Sequence, residues 1–354
     1  MLYSYLYAKV VFFNMDTKSI NLLNAGLIIV SLLLAYKIPF ELFLFSYAVL
    51  GPLHYLTEIN WLNERNYFVR KKKYVIVLMV LAALVALPFV LRLPFLAALR
   101  QTFAGSKVAH YSQTVNVYIV FVSLIFSIGL IYFKKWQQVS LFFISAAIFS
   151  FLVIKFLPVY AMVVAMFIPT VVHVYLFTLL FMVYGAMNEK SAYAWLGIVL
   201  LVLSPFVIIL LPLDAEKYLI SNHVKSTFMY NNFNRVKNSI AGILQLQETN
   251  GKFNLVSVAG IKLQVFLAFA YTYHYLNWFS KTSIIGWGKN IQAKKWVVII
   301  VLWALSVGLY YYDYRTGLLA LFFLSLLHVF LEFPLNIISV KGIFAKLFMK
   351  KGNL

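Results

Sequence analysis

PFELFLFSYAVLGPLHYLTEINWL, residues 39–62, decides how this chain is read. The run is long enough to cross a bilayer, whose hydrocarbon core takes about 20 helical residues. Up to His54 its only charged residue is Glu41; from there it carries a histidine and a glutamate, Glu58, one helical turn apart. Ionisable groups at that depth are costly in hydrocarbon unless they are paired. The stretch is therefore either a helix end reaching the interface or part of a site inside the membrane.

The rest of the chain has the same character. Of its 354 residues 63% are hydrophobic and 11% charged, a balance outside that of soluble domains. Apolar segments of spanning length recur along the whole sequence, at 20–36, 39–62, 74–95, 115–133, 139–156, 159–187, 192–213, 260–279, 296–313 and 317–339. They are long and lack strand alternation, which predicts helices and not barrel strands. The expected fold is an all-α polytopic integral membrane bundle of about ten transmembrane helices, a single membrane-embedded domain over 1–354. Pro88, Pro169 and Pro205 fall inside spans and are expected to kink them or free a carbonyl. Residues 2–15 read as a surface-lying or partly buried leader, with no small-residue cleavage site.

Charge placement gives orientation and partners. The net charge of +20 comes from Lys and Arg clustered just beyond the apolar segments, at 63–73, 134–135, 281–295 and after Lys341. Such flanks set topology and contact anionic lipid, so the partner implied is the bilayer and not nucleic acid. They predict both termini cytoplasmic, in a bacterial inner membrane, with Trp61 and Trp278 at the inner boundary as an aromatic belt. Lys155 and Lys262 read as snorkelling, Glu41 and Asp313 as caps or interface charges. Residues 214–258, between spans seven and eight, are too few for a core of their own and read as an extramembrane loop or lid, with a turn at Asn250-Gly251.

There is no cysteine, so any metal must be held by nitrogen and oxygen. Of the six histidines, His110 and His223 fall in loops, where a solvated surface role is expected. His54, His173, His274 and His328 fall inside spans that run in the same direction, at depths agreeing to within roughly 14 Å at 1.5 Å rise per residue. His54 and His328 each have a carboxylate at i+4, Glu58 and Glu332, on the same helix face. Neutral imidazole is a good ligand for iron, copper or zinc, and a carboxylate completes the shell or orients a ligating ring. The metal set is accordingly His54, His173, His274, His328, Glu58 and Glu332, fitting one non-haem iron or, less economically, two metals. Glu58, Glu332 and Tyr273 form the catalytic set, and Tyr55, Tyr175, Tyr275, Asn60 and Asn277 are candidate hydrogen-bond partners. The blander reading of each single histidine is a hydrogen-bonded packing residue, and of each glutamate a helix-end group reaching the interface.

Zinc-protease, hydrolase-elbow, P-loop and Asp-rich prenyltransferase motifs are missing, as are the clustered histidines of membrane di-iron desaturases. Single histidines spread over several helices of a polytopic protein resemble the Brp/Blh-type β-carotene dioxygenases, in architecture and histidine usage. That resemblance implies an integral-membrane iron enzyme that gathers four histidines and cleaves a carotenoid. The expected function is an intramembrane metalloenzyme, a non-haem iron oxygenase acting on an apolar small-molecule substrate such as a carotenoid or acyl chain. The alternatives are a proton- or cation-coupled transporter using the same His/Glu cluster, and a bis-His haem electron carrier.

Overall fold

The computed structural model describes residues 16–65, 72–189, 191–246, 254–281 and 292–348. The 2–15 leader, the Asn250-Gly251 turn and much of the basic 63–73 and 281–295 segments lie outside the described residues. Among the described residues the chain is all-helical, with no strand. Seven helices are long and apolar enough to cross a membrane, or up to nine if each of two bent pairs is one span.

In chain order, α1 is Thr17–Lys37, capped by Asp16, whose carboxylate accepts from the Ser19 N–H. α2 (Pro39–Phe45) runs through a π-helical turn, Ser46–Leu50, into α3 (Gly51–Arg65), which carries His54 and Glu58. α4 (Lys72–Val90) ends two residues after Pro88, and the chain then bends by 86° into a short helical stretch ending in α5 (Ala97–Gln101). α6 (Phe103–Thr114) and α7 (Asn116–Tyr132) are bent by 53° at their junction. α8 is Trp136–Phe156, and α9 (Pro158–Phe167) passes through a second π segment, Ile168–Phe177, into α10 (Thr178–Glu189). α11 (Ala192–Leu210), the short α12 (Asn222–Tyr230) and α13 (Asn234–Ile243), α14 (Val258–Ser280), α15 (Ala293–Tyr312) and α16 (Tyr314–Phe348) complete it. Asp313 caps α16, its Oδ2 accepting from the Thr316 N–H and hydroxyl at 2.7 Å each.

α14 matches the expected eighth span in position but is not among the helices apolar enough to cross. Gln264, Thr272, His274 and Asn277, with Tyr271, Tyr273 and Tyr275, dilute its hydropathy, and all of these are buried in protein. A helix covered by protein on every side does not need a lipid-compatible surface.

The prolines explain most of the local geometry. A proline removes one N–H and frees the carbonyl about one turn back. Pro52 follows the first π turn, and the indole of Trp303 donates to the Val49 carbonyl at 2.9 Å. Pro169 lies in the second π segment, where the Thr170 hydroxyl donates to Met166 O. Pro205 leaves Leu201 O, which takes the Tyr175 hydroxyl at 2.8 Å. Near Pro88, Asn116 Nδ2 donates to Val85 O at 2.7 Å. At Pro205 the carbonyl freed four residues back takes a side-chain donor, and at Pro52, Pro169 and Pro88 a side-chain donor goes to the carbonyl three residues back.

The contacts divide the chain into two compact units, Met1–Thr57 with Val174–Trp303, and Glu58–His173 with Ala304–Leu354. In the first, α14 packs on α1 and α2, and α11 on α1 and α10. Gly51 permits a close approach to α14: a Cβ there would stand 3.2 Å from the Tyr275 hydroxyl oxygen. In the same unit α12 and α13 cover α2 through the rings of Phe40, Phe43, Phe228 and Phe233. Lys237 is wholly buried there, 4.8 Å from the Phe40 ring centroid and 5.4 Å from that of Phe228. In the second unit, α16 packs on α4 and α7, and α7 on α8.

Two sequence readings change. Trp61 and Trp278 are buried and not belt residues; the Trp278 indole donates to Thr57 Oγ1 at 3.0 Å, tying α14 to α3. Lys262 does not simply snorkel, because its amine donates to the Ile209 carbonyl in the last turn of α11.

Candidate metal centre

In the first unit, α3 and α14 bring His54 and His274 together. Their Nε2 atoms are 3.1 Å apart, with ring centroids at 4.7 Å and planes at 72°. His54 is 1% and His274 6% exposed. The Ser46 and Thr272 hydroxyls meet at 2.7 Å, and Thr57 both accepts the Trp278 indole and donates back to Leu53 O, so neither helix is free to slide. On the far side of the His274 ring, Nδ1 lies 2.8 Å from Thr178 Oγ1.

In the second unit, the second π segment and α16 bring His173 and His328 together in the same way. Their Nε2 atoms are 3.2 Å apart, with centroids at 5.1 Å and planes at 71°. Glu332 is one turn beyond His328 on α16, yet its Oε2 sits 3.3 Å from Nδ1 of His173, on the other helix. Within the set His173, His328 and Glu332, one ligand atom from each lies within 4.8 Å of the others, and all three are buried. Asn336, a further turn along α16 and 1% exposed, stands beside the Glu332 carboxylate. Glu58, in the same unit and 2% exposed, is near enough for its charge to act on that of Glu332.

The π segment accounts for how His173 reaches this position. A π turn shifts the following side chains around the helix axis relative to an α-helix, and such insertions recur at functional sites. Here Pro169, four residues before His173, takes away the N–H that a regular α-helical turn would use. Pro52 stands two residues before His54 behind the other π turn.

The donor set fits a divalent metal. For a metal about 2.1 Å from each nitrogen, atoms 3.1–3.2 Å apart subtend about 95–100°, between the octahedral and tetrahedral values. Charge points the same way. Two buried carboxylates that feel one another are each costly by several kcal/mol in an apolar surrounding unless a proton or a cation neutralises them. Two histidines and a carboxylate are also the ligand types of non-haem iron sites with open positions. A bis-His haem does not fit either pair: axial nitrogens on opposite faces of an iron stand about 4 Å apart, further than those observed.

His110 and His223 are exposed, but they lie in helices α6 and α12 and not in loops. Tyr175 is spent on the carbonyl freed by Pro205. The Tyr273 hydroxyl points to Met182 Sδ at 3.2 Å and Asn277 Oδ1 at 3.5 Å, and its ring stacks on Phe269. Thr178 and Asn336 were not anticipated from the sequence. An i+4 search beyond Glu332 finds Asn336, but nothing local to Thr178 signals its partner 96 residues away. Comparison of the chain with protein-family models, with curated proteins and with solved structures gives no match, so the site is read from its own geometry.

Proposed function

We propose that this is an integral membrane metalloenzyme, a non-haem iron oxygenase that acts on an apolar lipid-like substrate such as a carotenoid or acyl chain. The observation that carries the reading is the buried set His173, His328 and Glu332, with imidazole nitrogens at 3.2 Å and the carboxylate at 3.3 Å from His173. The surrounding helices are long and apolar enough to cross a membrane, which suits a substrate that partitions into lipid. About ten spans in a bacterial inner membrane, with both termini cytoplasmic, follow from the apolar segments and their basic flanks.

His173 and His328 hold the metal through Nε2, with Glu332 as ligand or as the group that orients His173. His54 and His274 present nitrogens of the same kind. When bound, iron supplies the oxidation of an unactivated hydrocarbon by dioxygen, chemistry that no side chain here provides. The protein contributes burial, which keeps bulk water from the reacting centre, and fixed ring orientations. A catalytic part for Glu58, Glu332 or Tyr273 requires proton transfer at a carboxyl or phenol oxygen, and Glu332 stands 3.3 Å from Nδ1 of His173.

Nitrogens at 3.1 and 3.2 Å are also at hydrogen-bond distance, so the competing reading is a pair of proton-sharing histidines in a proton-coupled carrier. Elemental analysis and an absorption spectrum of the detergent-purified protein, expressed with iron supplied, separate the two. Iron in stoichiometric amount without a Soret band is expected. Transition metal at no more than trace level favours the carrier, and a Soret band the haem protein.

A further inference from the structure

We infer that Thr178 is a positioning residue that fixes His274 in its Nδ1–H tautomer, so that the ring presents a bare Nε2 lone pair towards His54. A threonine hydroxyl has one hydrogen and accepts through its oxygen. Thr178 Oγ1 lies 3.0 Å from the Val174 carbonyl oxygen and 2.8 Å from His274 Nδ1. The carbonyl can only accept, so the hydroxyl hydrogen goes to it. Turning that hydrogen towards Nδ1 would leave two oxygen atoms facing each other at 3.0 Å with no proton between them, in a place where Thr178 is 3% exposed. His274 Nδ1 must therefore be the donor.

A neutral imidazole has one ring proton, so Nε2 of His274 is left as an acceptor. It faces Nε2 of His54 at 3.1 Å. The backbone dictates the arrangement: Thr178 opens α10 directly after the π segment, and its bond to the carbonyl four residues back holds its side chain in one rotamer. The oxygen aimed at His274 is thus fixed before any ligand arrives. A ligating histidine gains affinity when its other nitrogen is held in this way, and loss of such a partner costs about 10- to 100-fold. Use of the lone pair on a metal rests on the function proposed above; the tautomer does not.

The test uses the full chain in detergent, labelled with 15N in its histidine rings and stripped of metal. The ring nitrogen shifts of His274, assigned by their loss in His274→Gln, are expected to show Nδ1 protonated and Nε2 bare. Thr178→Val, which keeps shape and removes the oxygen, should abolish that preference, and Thr178→Ser should restore it. Titration with Co2+ alone, read from its visible bands, should show Thr178→Val weakened by about 10- to 100-fold and Thr178→Ser binding like the unmodified chain. A protonated Nε2 in the unmodified chain, or a Thr178→Val protein with unchanged ring shifts and unchanged Co2+ affinity, overturns the assignment. If the unmodified chain takes up no Co2+ at all, the metal reading fails, and the ring shifts still decide the tautomer.

Discussion

The two compact units solve one problem twice, with different third groups. Each sets two imidazoles edge to face, with planes at 72° in one and 71° in the other and Nε2 atoms 3.1 or 3.2 Å apart. In each, an oxygen lies against the Nδ1 of one ring: the Thr178 hydroxyl for His274, the Glu332 carboxylate for His173. A hydroxyl fixes a proton without adding charge. A carboxylate fixes it too, makes the ring a stronger base and attracts a cation. The second unit's set thus carries negative charge, with Glu58 in the same unit, and the first unit's set has neutral donors.

The largest effects should come from the rings themselves. His173→Ala and His328→Ala should each abolish bound iron, measured by elemental analysis, while His223→Ala, at an exposed position, leaves it unchanged. His274→Ala sharpens the comparison: loss of iron makes both units ligand-bearing, whereas full retention reduces the first pair to packing. Next come the two orienting groups. Glu332→Gln, which removes the charge, should weaken metal binding by about 100-fold and Thr178→Val by nearer 10-fold. The reverse order in a metal titration would break the contrast between charged and neutral partners.

A smaller effect concerns the cover of the first unit. Burial pushes the Lys237 amine down from its ordinary 10.5 to about 7. Because the folded state holds this proton less tightly than the unfolded chain, stability rises as pH goes from about 7 to 10.5 and is flat below that window. Lys237→Met should remove this slope and raise thermal stability at neutral pH; an unchanged slope would show that the cation–π contacts with Phe40 and Phe228 offset the burial cost. Smallest are the side-chain bonds to carbonyls beside the prolines. Tyr175→Phe in the first unit and Asn116→Leu in the second should each cost about 0.5–1.5 kcal/mol in detergent unfolding.

How much of this was legible in the sequence depended on the range of the interaction involved. Span length and apolar content act locally, so most helices fall where the sequence placed them. α14 is the informative case, since its polar residues lower its hydropathy while its burial removes the need for an apolar surface. The His/Glu spacing at 54/58 and 328/332 was legible because i and i+4 share a helix face. What the spacing did not reveal is that Glu332 serves His173 across to another helix and not His328 on its own. The Tyr175 role was missed because a tyrosine near a histidine looks like a site residue until the proline whose carbonyl it satisfies is found 30 residues on. The π segments were invisible for a related reason: Pro52 and Pro169 signal a broken turn but not whether it bends, ends or widens the helix.

The most direct measurement of the central claim, that buried imidazoles and a carboxylate hold a metal, is X-ray absorption at the iron edge of the purified, iron-loaded protein. The expected result is a shell of nitrogen and oxygen ligands with the outer-shell scattering of imidazole rings, and loss of that iron signal in His328→Ala. A shell without imidazole scattering, or one identical in His328→Ala, would contradict it.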